Sequence, residues 1–111
     1  MAQFLVISGR DYDNFPLEAF AEHLGGEVAR VRELYAGGHL RFIWSRADHG
    51  GAVALLEAGT EDEAREIWGT LPLVRKGMVQ ATIVSLAPYH GFARVNAEPS
   101  GREEDSALDQ H

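Results

Sequence analysis

The chain has 111 residues, a hydrophobic fraction of 45% and a formal net charge of −7 at pH 7. This length suits one domain, and the acidic balance argues against a nucleic-acid partner, which would call for a basic patch. Cysteine is absent, which excludes disulfides and thiol chemistry and fits a cytoplasmic location. The apolar runs are too short to cross a bilayer and no secretory leader is recognisable, so no membrane association is expected.

The first half of the chain predicts a strand, an interrupted helix and a second strand. Residues 3–8 are a short apolar run that ends at a glycine. Apolar residues then recur every three or four positions over residues 17–35, which predicts a helix with one apolar face. The glycine pair at 25–26 should kink or break this helix, and Gly37 should end it. Residues 39–46 are rich in aromatic and aliphatic side chains and predict a strand.

The second half predicts a hairpin partner, a helix and a last strand. Residues 52–58 form an apolar strand after a glycine-rich turn. Thr60 and Glu63 have the spacing of a capping box, and the helix that they begin should end at Pro72, because proline disfavours helix in the preceding residue. Residues 78–87 complete a βαββαβ order. This order predicts an α+β, ferredoxin-like fold with a four-stranded antiparallel sheet and helices on one face.

The predicted domain covers residues 1–93, and residues 94–111 form an acidic, polar tail. The tail has few aliphatic side chains, so we expect it to be disordered. In the strands, apolar residues occupy both faces, as in residues 4–7, whereas a face in contact with water would alternate strictly. A second copy packed sheet on sheet would cover the uncovered face. We therefore expect a homodimer or a higher homo-oligomer, arranged as a dimeric α+β barrel.

One stretch of the chain resembles muconolactone Δ-isomerase and its wider relatives. The shared pattern has Arg41-x-x-Trp44 after a helix-ending glycine, then the apolar strand 52–58, and Leu71-Pro72-Leu73 before the last strand. The resemblance covers roughly residues 27–89. It implies a cofactor-free enzyme that forms oligomers of dimers and moves a proton in an unsaturated lactone. Such a shift needs a base and a cationic or hydrogen-bonding group for the developing enolate.

The resemblance also implies roles for two residues. Glu27 matches a glutamate in the first helix of the family and would carry the proton, and Arg41 matches its strand arginine and would hold the anion. From the residues alone, Glu27 could instead be half of a solvated ion pair with Arg30, and Arg41 could lie at a wet strand edge. Strict alternation would put Arg41 on one strand face with Ile43 and Ser45.

Five further side chains are predicted to bind the substrate. They are His39, Phe42, Trp44, Tyr89 and His90. The aromatic members would suit the wall of a hydrophobic pocket, and His90 follows the last strand, whose end often borders the pocket in this fold. The plainer interpretations are a core position for Trp44 and a surface position for His90. The histidines lack metal-ligand spacing, so neither a metal nor another cofactor is expected.

The leading interpretation is a cofactor-independent isomerase that acts on a small unsaturated lactone, acid or polyketide-like substrate. A first alternative keeps the fold and changes the chemistry to that of a cofactor-free oxygenase or cyclase of a biosynthetic pathway. A second alternative is a small-molecule binding or accessory protein without catalysis. A pocket without an ionisable group would favour this last interpretation.

Overall fold

The structure is a computed structural model that describes residues 1–91. Its strands are β1 (Ala2–Arg10), β2 (Leu40–Ser45), β3 (Ala52–Ala58) and β4 (Val79–Leu86), and its helices are α1 (Leu17–Ala21), α2 (Leu24–Ala36), α3 (Glu61–Trp68) and α4 (Pro72–Arg75). The predicted tail lies outside the described residues. None of the helices within residues 1–91 has the length and apolarity that crossing a membrane requires.

The strands of the described part form one four-stranded antiparallel sheet in the order β2-β3-β1-β4. β1 lies in the interior of the sheet, where it pairs with β3 on one side and with β4 on the other. Helices α2, α3 and α4 contact the strands, and their buried residues join those of the strands in the core on one face of the sheet. The predicted α+β, ferredoxin-like fold is therefore confirmed.

The main core lies between the sheet and the helices. Alternate residues of β1 and β3 point into it, because successive side chains of a strand point to opposite faces. Its buried members are Phe4, Val6, Leu34, Leu40, Ala54, Leu56, Ala58, Ala64, Trp68 and Leu71. A smaller cluster of Phe20, Leu73 and Met78 joins α1 to α4 and to the residue before β4. Burial of this apolar area is what holds the helices on one side of the sheet.

The other side of the sheet is apolar and uncovered in the single chain. We call its apolar residues the open sheet face; they are Leu5, Ile7, Phe42, Trp44, Val53, Leu55, Val84 and Leu86. The rings of Phe42 and Trp44 are stacked there, with centroids 5.7 Å apart, and the two residues are 57% and 54% exposed. A soluble monomer rarely exposes a contiguous apolar patch of this kind.

Strand β2 does not alternate strictly. Its register with β3 shifts between Leu40 and Phe42, and an extra residue of this kind puts two neighbours out of alternation. Ile43 therefore lies on the helix side, whereas Arg41 lies on the opposite side, with its Nε 3.9 Å from Glu57 Oε2. The prediction that Arg41 shares a face with Ile43 is wrong, because the alternation argument did not include the bulge.

Two helix boundaries also differ from the predictions. The first predicted helix breaks before its glycine pair, so that Gly25 and Gly26 lie in the first turn of α2. The N–H groups of a first turn have no partner within the helix, so glycines there interrupt few hydrogen bonds. Helix α3 ends at Trp68, and Pro72 begins α4 rather than ending the helix before it, since proline suits the first helical position. Thr60 caps α3 as predicted.

Candidate functional site

A cavity of about 360 Å³ lies between the helix side of the sheet and helices α2, α3 and α4. This volume is within the range of small-molecule sites, about 300–1,000 Å³. Its apolar lining includes Leu24, Val28, Val31, Ile43, Trp68, Leu71, Leu73, Val74 and Val79. Its charged lining residues are Arg10, Glu27 and Arg32. A mostly apolar chamber with a few charged groups is the usual composition of a site for a small organic ligand.

Glu27 is the one carboxylate among the described residues that line the cavity. The first turn of α2 carries it, and its Oε1 accepts a hydrogen bond from the backbone N–H of Leu73 at 3.0 Å. Burial raises the pKa of Glu27 above its ordinary value, against smaller lowering effects of the Leu73 hydrogen bond and of the charges on Arg10 and His23. A carboxyl group with a raised pKa can both accept and return a proton closer to neutral pH.

The cavity also contains positive charge. Arg10, the last residue of β1, is half-buried, and Arg32 of α2 is exposed. Neither takes part in any ion pair formed by the described residues. Sequence reasoning missed Arg10, because the first strand was predicted to end before Gly9. Arg10 could have been found from its position two residues after Ser8. In a strand that continues through Gly9, this spacing puts Ser8 and Arg10 on the same side of the sheet, which faces the helices.

The loop between β2 and β3 is tied to the end of β1, beside the cavity. The backbone N–H of Arg10 donates to the carbonyl of Gly50 at 2.9 Å, and the carbonyl of Arg10 accepts a hydrogen bond from His49 Nε2 at 3.0 Å. A Cβ at Gly50 would overlap the hydroxyl of Tyr12, so a larger residue there would have to displace the exposed Tyr12 side chain. The loop therefore fixes the strand end that carries Arg10.

The structure brings only part of the predicted site together. Glu27 lines the cavity, and Trp44 is also a lining residue, although its ring is stacked on Phe42 on the open sheet face. The predicted residues outside its lining are His39, Arg41, Phe42, Tyr89 and His90. Arg41 lies across the sheet from the cavity, so Glu27 and Arg41 do not face one ligand space within a single chain. The roles of these residues stay predictions. Within residues 1–91, no group of three or more His, Cys, Asp or Glu side chains is placed to hold a metal ion.

The fold is similar to two solved enzyme structures. The 5-chloro-2-hydroxyhydroquinone dehydrochlorinase from Burkholderia phenoliruptrix, in complex with 2,5-dihydroxybenzoquinone, is 14% identical, with a TM-score of 0.64 over 79% of this chain and 96% of that chain. Muconolactone isomerase is 18% identical, with a TM-score of 0.64 over 78% of this chain and 90% of that chain.

Sequence comparison assigns the chain to a family. Among curated proteins, no sequence matches the chain significantly. A family model described as muconolactone delta-isomerase matches residues 4–91, which include the cavity residues and all four strands from Phe4 onward. Because this match covers most of the chain, the protein belongs to the muconolactone delta-isomerase family.

Proposed function

We propose that the protein is a cofactor-independent, isomerase-type enzyme that moves a proton within a small unsaturated lactone or acid. Membership of the muconolactone delta-isomerase family supports a small-molecule, isomerase-like role. The observation that carries the proposal is the Glu27 carboxyl group, which lines an apolar cavity and has a raised pKa. An ionisable group in the cavity also argues against a purely binding role.

The proposed reaction needs one group that first removes a proton from the substrate and then returns it. The Glu27 carboxylate would remove a proton from a carbon beside the conjugated carbonyl, and the electron pair of the C–H bond would move to the carbonyl oxygen to give an enolate. The neutral carboxyl group would then return the same proton to another carbon of the conjugated system. Atoms and electrons balance without any other reactant. Partial burial raises the pKa of the Glu27 carboxyl group, and a carboxylate with a raised pKa is a stronger base.

The ligand is inferred to be a single small ring with oxygen substituents. The cavity volume of about 360 Å³ suits a molecule of that size. The dehydrochlorinase of similar fold is in complex with 2,5-dihydroxybenzoquinone, which is such a ring. The surplus of arginine over carboxylate in the lining favours a ligand with a negative charge.

We also propose that two copies pack through their open sheet faces. The face is apolar and exposes a stacked Phe42–Trp44 pair, and two-fold sheet-on-sheet packing would cover it in both copies at once. Trp44, whose ring belongs to this face, also borders the cavity on the other side of the strand, so such an interface would lie next to the proposed site.

The proposed reaction is tested by incubating the purified protein with muconolactone in D₂O and following its protons by NMR. We expect double-bond migration and, for Glu27→Gln, a rate lower by roughly a hundredfold. The wild-type kcat/KM should rise with pH through the raised pKa of Glu27, because only the ionised carboxylate removes a proton. A rate for Glu27→Gln equal to that of the wild type would remove the proton carrier from the proposal.

A further inference from the structure

Arg10 is a half-buried arginine that lines the cavity and has no carboxylate partner among residues 1–91. It belongs to the same lining as Glu27, yet none of the ion pairs formed within residues 1–91 includes it. A guanidinium group has five N–H donors and no acceptor. Withdrawing such a group from water without an anion beside it costs free energy. A ligand with an anionic oxygen would supply the missing partner.

The position of Arg10 is fixed without using its side-chain donors. Its backbone is held by Gly50 and His49, through hydrogen bonds of 2.9 and 3.0 Å. Its guanidinium carbon lies 5.3 Å from the centroid of the buried Phe20 ring. A cation–π contact restrains the charged group over the ring face and leaves the N–H groups in its plane available. Arg10 is therefore preorganised to donate hydrogen bonds.

Arg10 and Glu27 line the same cavity, but their charges are not paired in an ion pair. The charge of Arg10 is felt at Glu27, where it opposes the effect of burial on the pKa of that carboxyl group. The two side chains line one cavity but do not form an ion pair within 4 Å, so neither charge is paired with the other. Arg32 is exposed, and Arg41 lies on the other side of the sheet, 3.9 Å from Glu57.

We propose that Arg10 binds an anionic oxygen of the ligand opposite Glu27, so that one cavity in one chain holds both the base and the positive charge. The assignment rests on the function proposed above. In that reaction the proton moves to Glu27, the electron pair moves to the carbonyl oxygen, and the N–H groups of Arg10 donate to the resulting enolate or to the carboxylate of the acid. The enolate oxygen and the carboxylate oxygen are both anionic acceptors, and the kinetic measurements below distinguish which of them Arg10 binds.

The test compares four variants in the muconolactone assay. Arg10→Met keeps an apolar stem over Phe20 and removes the charge. Arg10→Lys restores the charge but lacks the paired N–H donors of the planar guanidinium group. Arg65→Met is the matched control, since Arg65 is exposed on α3 and forms an ion pair with Glu61, away from the cavity lining. Arg41→Met tests the arginine across the sheet. Circular dichroism and sedimentation should show that each variant keeps the fold and assembly of the wild type.

We expect Arg10→Met to lower kcat/KM by about tenfold or more, Arg10→Lys to recover part of the loss, and Arg65→Met to match the wild type. A contact with the enolate alone would lower kcat, whereas a contact with the substrate carboxylate would raise KM. In the second case, Arg10→Met should weaken binding of muconolactone and leave binding of its neutral methyl ester unchanged. A kcat/KM for Arg10→Met within twofold of the wild type, with a large loss for Arg41→Met, would overturn the proposal.

A second measurement needs no substrate. The Glu27 carboxyl carbon is titrated by ¹³C NMR in the ligand-free wild type and in Arg10→Met. Removing the positive charge should raise the pKa of Glu27, and Arg65→Met should leave it unchanged. An unchanged pKa in Arg10→Met would show that Arg10 does not act in the cavity, whatever the enzyme does. A raised pKa without turnover of muconolactone would retain Arg10 as the cavity cation and reject the proposed reaction.

Discussion

The Glu27 carboxylate and the backbone N–H of Leu73 are joined by a 3.0 Å hydrogen bond across 46 positions of sequence. Leu73 is the second residue of the four-residue helix α4, so its N–H has no partner within that helix. This one hydrogen bond therefore gives the Leu73 N–H at the start of α4 an acceptor. It also orients the carboxyl group that we propose as the proton carrier. Oε2 of Glu27 has no hydrogen bond to a described residue, which leaves it available to a ligand.

We expect Glu27→Ala to destabilise the protein by about 1–2 kcal/mol, because it leaves the half-buried N–H of Leu73 without an acceptor. Glu27→Gln keeps an oxygen in the same place and should retain most of the stability. Urea denaturation of the variants measures the difference. Glu66→Ala is the control, since Glu66 is exposed on α3 and should change stability by no more than about 0.5 kcal/mol. Equal stability of Glu27→Ala and Glu66→Ala would show that the bond contributes nothing.

A second prediction follows from the raised pKa of Glu27. The folded protein holds this proton more tightly than the unfolded chain does, so the contribution of Glu27 to stability falls as pH rises from the ordinary pKa of 4.5 through the raised one. The amide of Glu27→Gln does not ionise in this pH range. Its stability relative to the wild type should therefore increase across this pH window and stay constant below it. Denaturation of both proteins at several pH values measures this, and a relative stability independent of pH would contradict the raised pKa.

Two glycines should respond to alanine in opposite ways. Gly25 lies in the first turn of α2, and a Cβ there would meet no atom within 4 Å, so Gly25→Ala should stabilise the protein by about 0.5–1 kcal/mol. Gly51 has φ +133°, and a Cβ would overlap the carbonyl of Ser8, so Gly51→Ala should destabilise it by more than about 1 kcal/mol. Melting temperatures measure both, and a stable Gly51→Ala would contradict the geometry of the turn.

The element order could be predicted because it depends on local patterns. The three-to-four-residue spacing of α2, the apolar runs of the strands and the Thr60 cap each act within a few residues. The faces of β2 could not be predicted by alternation, because the register shift between Leu40 and Phe42 depends on how the strand pairs with β3. A bulge has no signature in the period-two pattern, and it decides on which side of the sheet Arg41 lies.

The site was predicted in part for the same reason. Glu27 was found through the family resemblance and lines the cavity, but its contact with Leu73 joins two distant segments and has no local signal. Arg10 was overlooked because Gly9 was taken to end the first strand, whereas pairing of Arg10 with Val79 continues the strand through the glycine. Pairing with a neighbouring strand, and not the propensity of Gly9, therefore brings a charged residue to the cavity.

The last prediction concerns assembly through the open sheet face. The wild type should sediment as a dimer or a larger species and not at the chain mass of 12.2 kDa, because the uncovered apolar face is too large to leave in water. Phe42→Lys puts a charge into that face, on its edge strand β2, where burial in an interface would be costly, and should shift the equilibrium to monomer. Phe42 is 57% exposed in the single chain, so the monomeric variant should keep its fold. Tyr35→Lys is the matched control, since Tyr35 is 67% exposed on α2, in the helix layer, and should leave the assembly unchanged. A wild type that sediments as a stable monomer would remove the interface from the proposal, and dissociation by Tyr35→Lys alone would move it to the helix layer.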